Sequence, residues 1–350
     1  MIDIDGSLLE GGGQVLRMSM GLSALLRKPI RIFNIRGNRP KPGLRAQHLA
    51  GLNLVHQLTG GHLEGCQLHS TQITYKPDNL KNNLKSDFQM DIGNNGAISL
   101  LVQICLPVAL YRPNSTTFDL KGGTFGDFAP PMIYCREVLV PLLNQHFGLK
   151  IDVQILQESF EMKGGGHVRL LTQPLEGPLK PLTLDRPLIQ PPEIVIRSTT
   201  SGRTPLKEAE LTSSGAQKIL TNAQIQNEYM PNALGNAVTV FIKAQAENSI
   251  LAASSVKLKS DKNPGKTGRS TAQELKTVLD SQVCVDQWAQ DQLIVYMALA
   301  GGRSRLLTGA LTMHTRTAIS IAEQLTEAKF TVTSSGENQN LIECQGIGFY

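Results

Sequence analysis

One order of elements recurs three times along this 350-residue chain, and that recurrence limits the fold more than any single motif does. After a first strand at 2–5, the segment EGGGQVLRMSMGLSALLRK predicts a helix whose apolar face holds Val15, Leu16, Leu22, Leu25 and Leu26. A strand at 30–36, the loop GNRPKPGLRAQH, a helix at 44–58 and strands at 62–68 and 72–76 complete the first copy. The second copy has helix 97–111, strand 116–121, loop GGTFGDFAPP, helix 132–147 and strands 150–156 and 167–171. In the third, helix 286–300 and strand 305–311 lead into a helix beginning near His314, then strands 330–334 and 341–345. The expected class is α/β (α+β): three helix-strand-helix-strand-strand modules forming a large domain. Residues 1–180 hold the first two modules and 283–350 the third.

The stretch 181–282 breaks the pattern and reads as a small inserted α/β domain entered through the proline-rich LTQPLEGPLKPLTLDRPLIQPP. Its expected elements are strand 194–197, helix 206–220, strands 237–246 and 250–256, and helix 271–279. The basic, glycine-bearing KLKSDKNPGKTGRS reads as a loop and lacks the spacing of a phosphate-binding G-x-x-x-x-G-K-[ST] string.

Composition excludes several classes. No apolar run reaches the roughly 18 residues of a membrane span, and the chain begins with a strand rather than a leader. The five cysteines are odd in number and form no C-x-x-C pair, so neither a disulfide framework nor a zinc site is expected and an intracellular location is. Lys plus Arg exceed Asp plus Glu only by 34 to 29, but the basic residues cluster.

Each copy carries its least ordinary residues in the loop that enters its second helix, so three inward-pointing helix starts suit a polyanion. In the third copy His314 falls at a helix start, where free N–H groups and the helix dipole disfavour imidazolium and welcome phosphate. In the first copy Arg36, Arg39, Lys41 and Arg45 lie within ten residues, stiffened by Pro40, Pro42 and Gly43. Cations so close repel one another unless an anion sits among them. Arg17 on the preceding helix can join them. Glu10 suits a hard cation beside phosphates, and its glycine run permits close backbone approach. Gln103 and Gln292 lie in otherwise apolar helices and need hydrogen-bond partners. Trp288, the single tryptophan, precedes Asp291 and Gln292 by one turn, a set suited to an adenine face with polar anchors.

The strings EGGGQVLR, IRGNRPKPGLRAQHL, KGGT…APP, KGGG, DQLIVYMALA and MHTRTAI…AEQL, in that order, closely resemble the RNA 3′-terminal phosphate cyclases. The tail LIECQGIG is similar to that of the animal enzymes. The resemblance covers nearly the whole chain and is weakest across 174–279. It implies three repeated α/β modules with a small insert. It also implies a reaction in which ATP adenylates a histidine, AMP passes to an RNA 3′-phosphate, and the vicinal 2′-OH attacks to give a 2′,3′-cyclic phosphate. Position by position, His314 matches the nucleophile. Gln103, Pro130, Trp288, Asp291 and Gln292 match the ATP pocket, and Glu10 the ligand of Mg²⁺ or Mn²⁺. Arg17, Arg36, Arg39, Arg45 and Gln47 match the phosphate and RNA contacts. The implied partner is RNA ending in a 3′-phosphate, and the likeness to the animal enzymes implies a nuclear location.

The chain departs from the family pattern at Trp288, where tyrosine is usual, in GGTFGDFAPP and NNGAISLL, and in a shorter insert. Two other readings stay open on the resemblance. A cyclase-like branch serves as a non-catalytic ribosome-assembly factor without the nucleophilic histidine, so His314 is the discriminating residue. The distantly similar enolpyruvyl transferases share repeated modules, but the compact basic loop stands against that assignment.

Overall fold

Strand order explains why three weakly similar segments share one architecture. The structure is a computed structural model that describes residues 1–126, 129–187, 191–257 and 263–350. The first unit runs β1 (Ile2–Asp5), α1 (Gly13–Leu26), β2 (Ile30–Phe33), α2 (Ala46–Thr59), β3 (His62–Glu64) and β4 (Ile73–Lys76). The second runs β5 (Asp87–Asp91), α3 (Ile98–Leu110), β6 (Thr116–Gly122), α4 (Met132–Tyr134), a π turn (Cys135–Leu139), α5 (Val140–Phe147), β7 (Ile151–Gln157) and β8 (Gly166–Thr172). A two-residue strand, β9 (Thr183–Leu184), then opens the third unit.

Before that unit continues, the chain departs through β10 (Glu193–Ser201), α6 (Leu206–Gln217), β11 (Gln224–Met230), β12 (Ala237–Gln245), β13 (Ile250–Val256) and α7 (Pro264–Asp280). It returns as α8 (Gln287–Gln292), α9 (Ile294–Leu299), β14 (Gly301–Thr308), α10 (Met313–Leu325), β15 (Lys329–Gly336) and β16 (Gln339–Ile347).

The three sheets have the orders β1-β2-β4-β3, β5-β6-β8-β7 and β9-β14-β16-β15. In each, the first pair is parallel and the other two are antiparallel. A parallel pair requires a crossover, which the first helix of each unit supplies.

Several expectations need correction. The pattern showed an opening strand only in the first copy, yet β5 and β9 play that part in the others. Thr183 and Leu184, expected in the insert, pair with Arg305 and Leu306 of the third sheet. The insert has a fourth strand, β11, whose residues are almost all exposed, so no burial pattern marked it. The expected basic loop is helical from Pro264 onward: Asn263 caps the helix through the Lys266 N–H and Pro264 sits where a missing N–H costs nothing. Residues 258–262 of that expected loop, Asp127 of the second helix-entry loop, and 188–190 of the proline-rich stretch lie outside the described residues.

The first helices occupy the centre. α3 (ISLLVQICLPVAL) is apolar nearly all round and almost wholly buried, as a helix without a solvent face must be. α1 packs against α3 and against α10, and α3 packs against α2. The third such pairing runs from α8 and α9 to α4 and α5, with Trp288 edge-on to Tyr134 at 4.9 Å and Tyr296 on Phe147 at 5.6 Å. One apolar core therefore runs through all three units, whereas the insert has its own, around Ile196, Leu251 and Leu275. Arg197 and Lys243 of the insert join it to Glu137 at 2.6 and 3.3 Å. No helix among the described residues is long and apolar enough to cross a membrane.

Candidate active site

The helix start at His314 is built from uncharged groups. Thr312 caps α10 by accepting the Thr315 N–H at 3.1 Å. His314 follows in the first turn, whose outermost N–H groups have no partner within the helix. Although exposed, its imidazole is held below the ordinary histidine range, first by the protein around it and then by the charges of Arg17 and Arg39. A ring kept neutral retains the lone pair that nucleophilic attack requires. Beneath it lies Gln290, unnoticed in the sequence. Its Oε1 accepts from the Thr312 N–H at 3.0 Å and the Thr315 hydroxyl at 2.5 Å.

Glu10 approaches from the first unit. Its N–H donates to Thr317 of α10 at 3.3 Å, and its carboxylate forms an ion pair with Arg39. The second carboxylate oxygen, Oε2, is buried and has no hydrogen-bond partner. The neighbouring glycines are explained by crowding: a Cβ at Gly12 would collide with the Glu10 carboxylate, and one at Gly13 would lie 2.7 Å from an Arg17 nitrogen and 2.8 Å from His48 Nε2. Small residues here let the Glu10, Arg17 and His48 side chains converge.

From that convergence a polar chain crosses the ring of units. Arg17 donates to Gln103 Oε1 at 2.6 Å and to Gln14 Oε1 at 2.9 Å, and Gln14 donates to Asp291 at 2.9 Å. One residue from α3, two from α1 and one from α8 thus form a continuous network. Burial lowers the Arg17 guanidinium to about 10, partly offset by Asp291, and pushes the Asp291 carboxyl up despite Arg17. Arg17, Gln103 and Gln292 also line a narrow recess, with room for about one water molecule, together with Leu139 and Tyr296. His48, a second residue missed in the sequence, lies against this network. Burial and then Arg17, Arg36 and Arg45 depress its imidazole to about 3, and its Nδ1 accepts the Arg45 N–H at 3.1 Å.

The arginines of the basic loop find partners within the protein, one of them an anion, the Glu10 carboxylate. Arg36 donates to the Lys41 and Gly43 carbonyls at 2.8 and 2.9 Å, Arg39 pairs with Glu10, and Arg45 contacts the His69 ring at 3.3 Å. Each of the three arginines has a partner of its own. Gln47, the second residue of α2, accepts the Ala97 N–H at 3.4 Å and so joins the first unit to the second.

On α8, the half-buried Trp288 packs on Tyr134, and the buried Gln292 amide donates to the Trp288 carbonyl at 2.9 Å. Pro130 is half-buried just before α4. Asp286, also missed, fixes this corner. Its carboxylate accepts from the Tyr134 hydroxyl at 2.7 Å, the Trp288 N–H at 2.9 Å and, across the boundary with the insert, the Ala252 N–H at 2.9 Å.

In the second helix-entry loop Thr124 serves the framework. Thr124 exchanges hydrogen bonds with Ser159, donating at 3.3 Å and accepting at 3.0 Å. The contacts gathered around His314 come from the first and third units: Arg17, Glu10 and Arg39 beside α10.

Together these features define a repeat-built α/β protein that sets a histidine at a helix start near arginines and a carboxylate from a neighbouring repeat. A family model described as RNA 3′-terminal phosphate cyclase matches residues 8–332. The chain is 35% identical over 363 aligned residues to an RNA 3′-terminal phosphate cyclase of Drosophila melanogaster, covering 99% of this chain and 97% of that one. It is 36% identical to a probable RNA 3′-terminal phosphate cyclase of Dictyostelium discoideum, over 99% of this chain and 83% of that one. An RNA 3′-terminal phosphate cyclase of Pyrobaculum neutrophilum is 35% identical over 99% of both chains. The chain belongs to the RNA 3′-terminal phosphate cyclase family.

Proposed function

We propose that the protein converts an RNA 3′-terminal phosphate to a 2′,3′-cyclic phosphate at the expense of ATP, with His314 as the residue that carries AMP. The observation that carries this reading is the His314 ring, kept neutral at the start of α10 beside Arg17 and Arg39 from the first unit. A neutral imidazole nitrogen attacks the α-phosphorus, a P–N bond forms, the bond to pyrophosphate breaks, and the ring proton passes to solvent. An oxygen of the RNA 3′-phosphate then attacks the same phosphorus, the P–N bond breaks, and the ring takes back a proton from solvent, regenerating the neutral imidazole. The vicinal 2′-hydroxyl attacks the now activated 3′-phosphorus, releasing AMP and one proton and closing the ring. The free N–H groups of the first turn of α10 and the Arg17 guanidinium neutralise charge on the transferring phosphoryl group.

Trp288, Pro130, Gln103, Asp291 and Gln292 are assigned to the nucleotide, and Arg36, Arg39, Arg45 and Gln47 to the RNA terminus. The unpartnered, buried Oε2 of Glu10 suits a hard cation. Among the described residues no cluster of three or more His, Cys, Asp or Glu could hold a metal, so Glu10 would provide one ligand and the substrate phosphates others. Mg²⁺ or Mn²⁺ bound there would supply neutralisation of the departing pyrophosphate.

The test is incubation with ATP radiolabelled at the α-phosphate, followed by a search for an acid-labile protein–AMP adduct. Wild-type protein is expected to form it, and His314→Ala to remain folded and form none. Label retained in that variant would overturn the assignment.

A further inference from the structure

We propose that Gln290 is a positioning residue for His314, its side-chain amide setting the place from which the imidazole addresses the bound nucleotide. This rests on the reading of His314 as the nucleophile. Gln290 is 1% exposed, and the whole bonding capacity of its amide is used. On one side, Oε1 accepts from the Thr312 N–H at 3.0 Å and the Thr315 hydroxyl at 2.5 Å, the two residues that bracket Met313 and His314. On the other, Nε2 donates to Thr308 Oγ1 at 2.5 Å and to the Ala310 carbonyl at 3.3 Å. One side chain therefore clamps both ends of the turn between β14 and α10.

The origin of the clamp matters as much as its bonds. Gln290 belongs to α8, the short helix that also carries Trp288, Asp291 and Gln292. Asp291 engages the network of Gln14 and Arg17, while Gln290 reaches α10. The proposed nucleotide grip and the nucleophile are thereby held by one helix, so their separation does not depend on the flexibility of the turn. Attack needs reacting atoms about 3 to 3.5 Å apart, and a displacement near 1 Å costs on the order of 10²-fold in rate. Clamping the turn from both sides requires an acceptor and a donor on one side chain. Leucine fills similar space but makes none of the four bonds, and glutamate keeps the two acceptor bonds to α10 while losing both donor bonds.

The experiment uses the full-length chain and its Gln290→Leu and Gln290→Glu variants. Single-turnover formation of the protein–AMP adduct is measured beside ATP affinity by equilibrium dialysis, with circular dichroism to establish folding. Gln290→Leu is expected to form the adduct about 10²-fold more slowly while binding ATP within about threefold of wild type, and Gln290→Glu to fall between the two. A merely structural residue would instead move affinity and rate together. An adduct rate within about threefold of wild type in Gln290→Leu, or a loss of ATP affinity matching the loss of rate, overturns the proposal. If Gln290→Leu does not fold, Gln290→Glu decides by the same split, an unchanged rate overturning the proposal. His314→Ala run in parallel separates the two readings: an adduct in that variant removes the nucleophile itself, whereas its absence beside wild-type rates in both Gln290 variants removes only the positioning role.

Discussion

The helix-entry turns of the first and third units occupy equivalent places in equivalent folds, yet they are built from opposite materials. At α2 the turn is crowded with guanidiniums: Arg36 closes the loop on its own carbonyls, Arg39 reaches Glu10, and the Arg45 backbone donates to His48. At α10 two threonine hydroxyls and a glutamine amide do the organising. On the proposed assignment, the difference separates two duties that conflict in one loop. Charges that bind phosphate must be present, while a nucleophile must be uncharged and held still. Setting them on different units lets Arg39 lower the proton affinity of His314 without belonging to its turn.

The sharpest break of this comparison is the double variant Arg39→Ala, Arg45→Ala. If the first turn serves the RNA terminus and the third the nucleotide, the variant still forms the protein–AMP adduct but transfers AMP poorly to RNA ending in a 3′-phosphate. Losing two charge-assisted contacts of about 1.5 to 3 kcal/mol each slows that transfer at least about tenfold in single-turnover assays. Equal loss of both steps would assign the basic turn to ATP or to the fold.

On the nucleotide side, Trp288→Ala is expected to weaken ATP binding by about 1 to 3 kcal/mol, the worth of one base–aromatic stack, while Trp288→Tyr changes little. Because Trp288 is the only tryptophan, its emission reports the contact directly. Unchanged dialysis affinity in the alanine variant would leave Trp288 as a partner of Tyr134 alone.

His48 probes the stability of the charged turn. Its folded-state value near 3 lies below the ordinary 6.5, so the unfolded chain binds a proton that the folded chain refuses as pH falls through that window. Stability is expected to drop progressively from about pH 6.5 toward 3, and His48→Gln to flatten that part of a Tm-against-pH curve. Parallel curves for the two proteins would mean that other groups govern acid unfolding.

The finest test concerns the charge acting between the two turns. Arg39 disfavours imidazolium at His314, so Arg39→Ala should raise the histidine's proton affinity and move the acid limb of adduct formation to higher pH. The same substitution frees the Glu10 carboxylate, and Mg²⁺ affinity measured by calorimetry should rise. An acid limb that stays in place would disconnect the two turns electrostatically.

Periodicity along the chain was enough to read the helices and most of the strands, because buried faces must repeat at the period of the element that carries them. The glycine run beside Glu10, the arginine-rich turn and the histidine at a helix start were legible for the same local reason: each is unusual at its own position. Strands β5 and β9 escaped because their pairing partners, not their own residues, make them strands. Gln14, His48, Asp286 and Gln290 escaped on similar grounds. Gln14 meets a carboxylate 277 positions away, and Asp286 a hydroxyl 152 positions away. Even Gln290 bonds Thr315 only because a strand and a turn fold the chain back over α8. Sequence by itself determined which residues are chemically capable and which faces must be buried. Only the tertiary structure decided which arginines pair within their own turn, which of them faces His314, and that the histidine is held from a different helix. Protonation and aim depend on distances between segments far apart in the chain, and no local pattern encodes such distances.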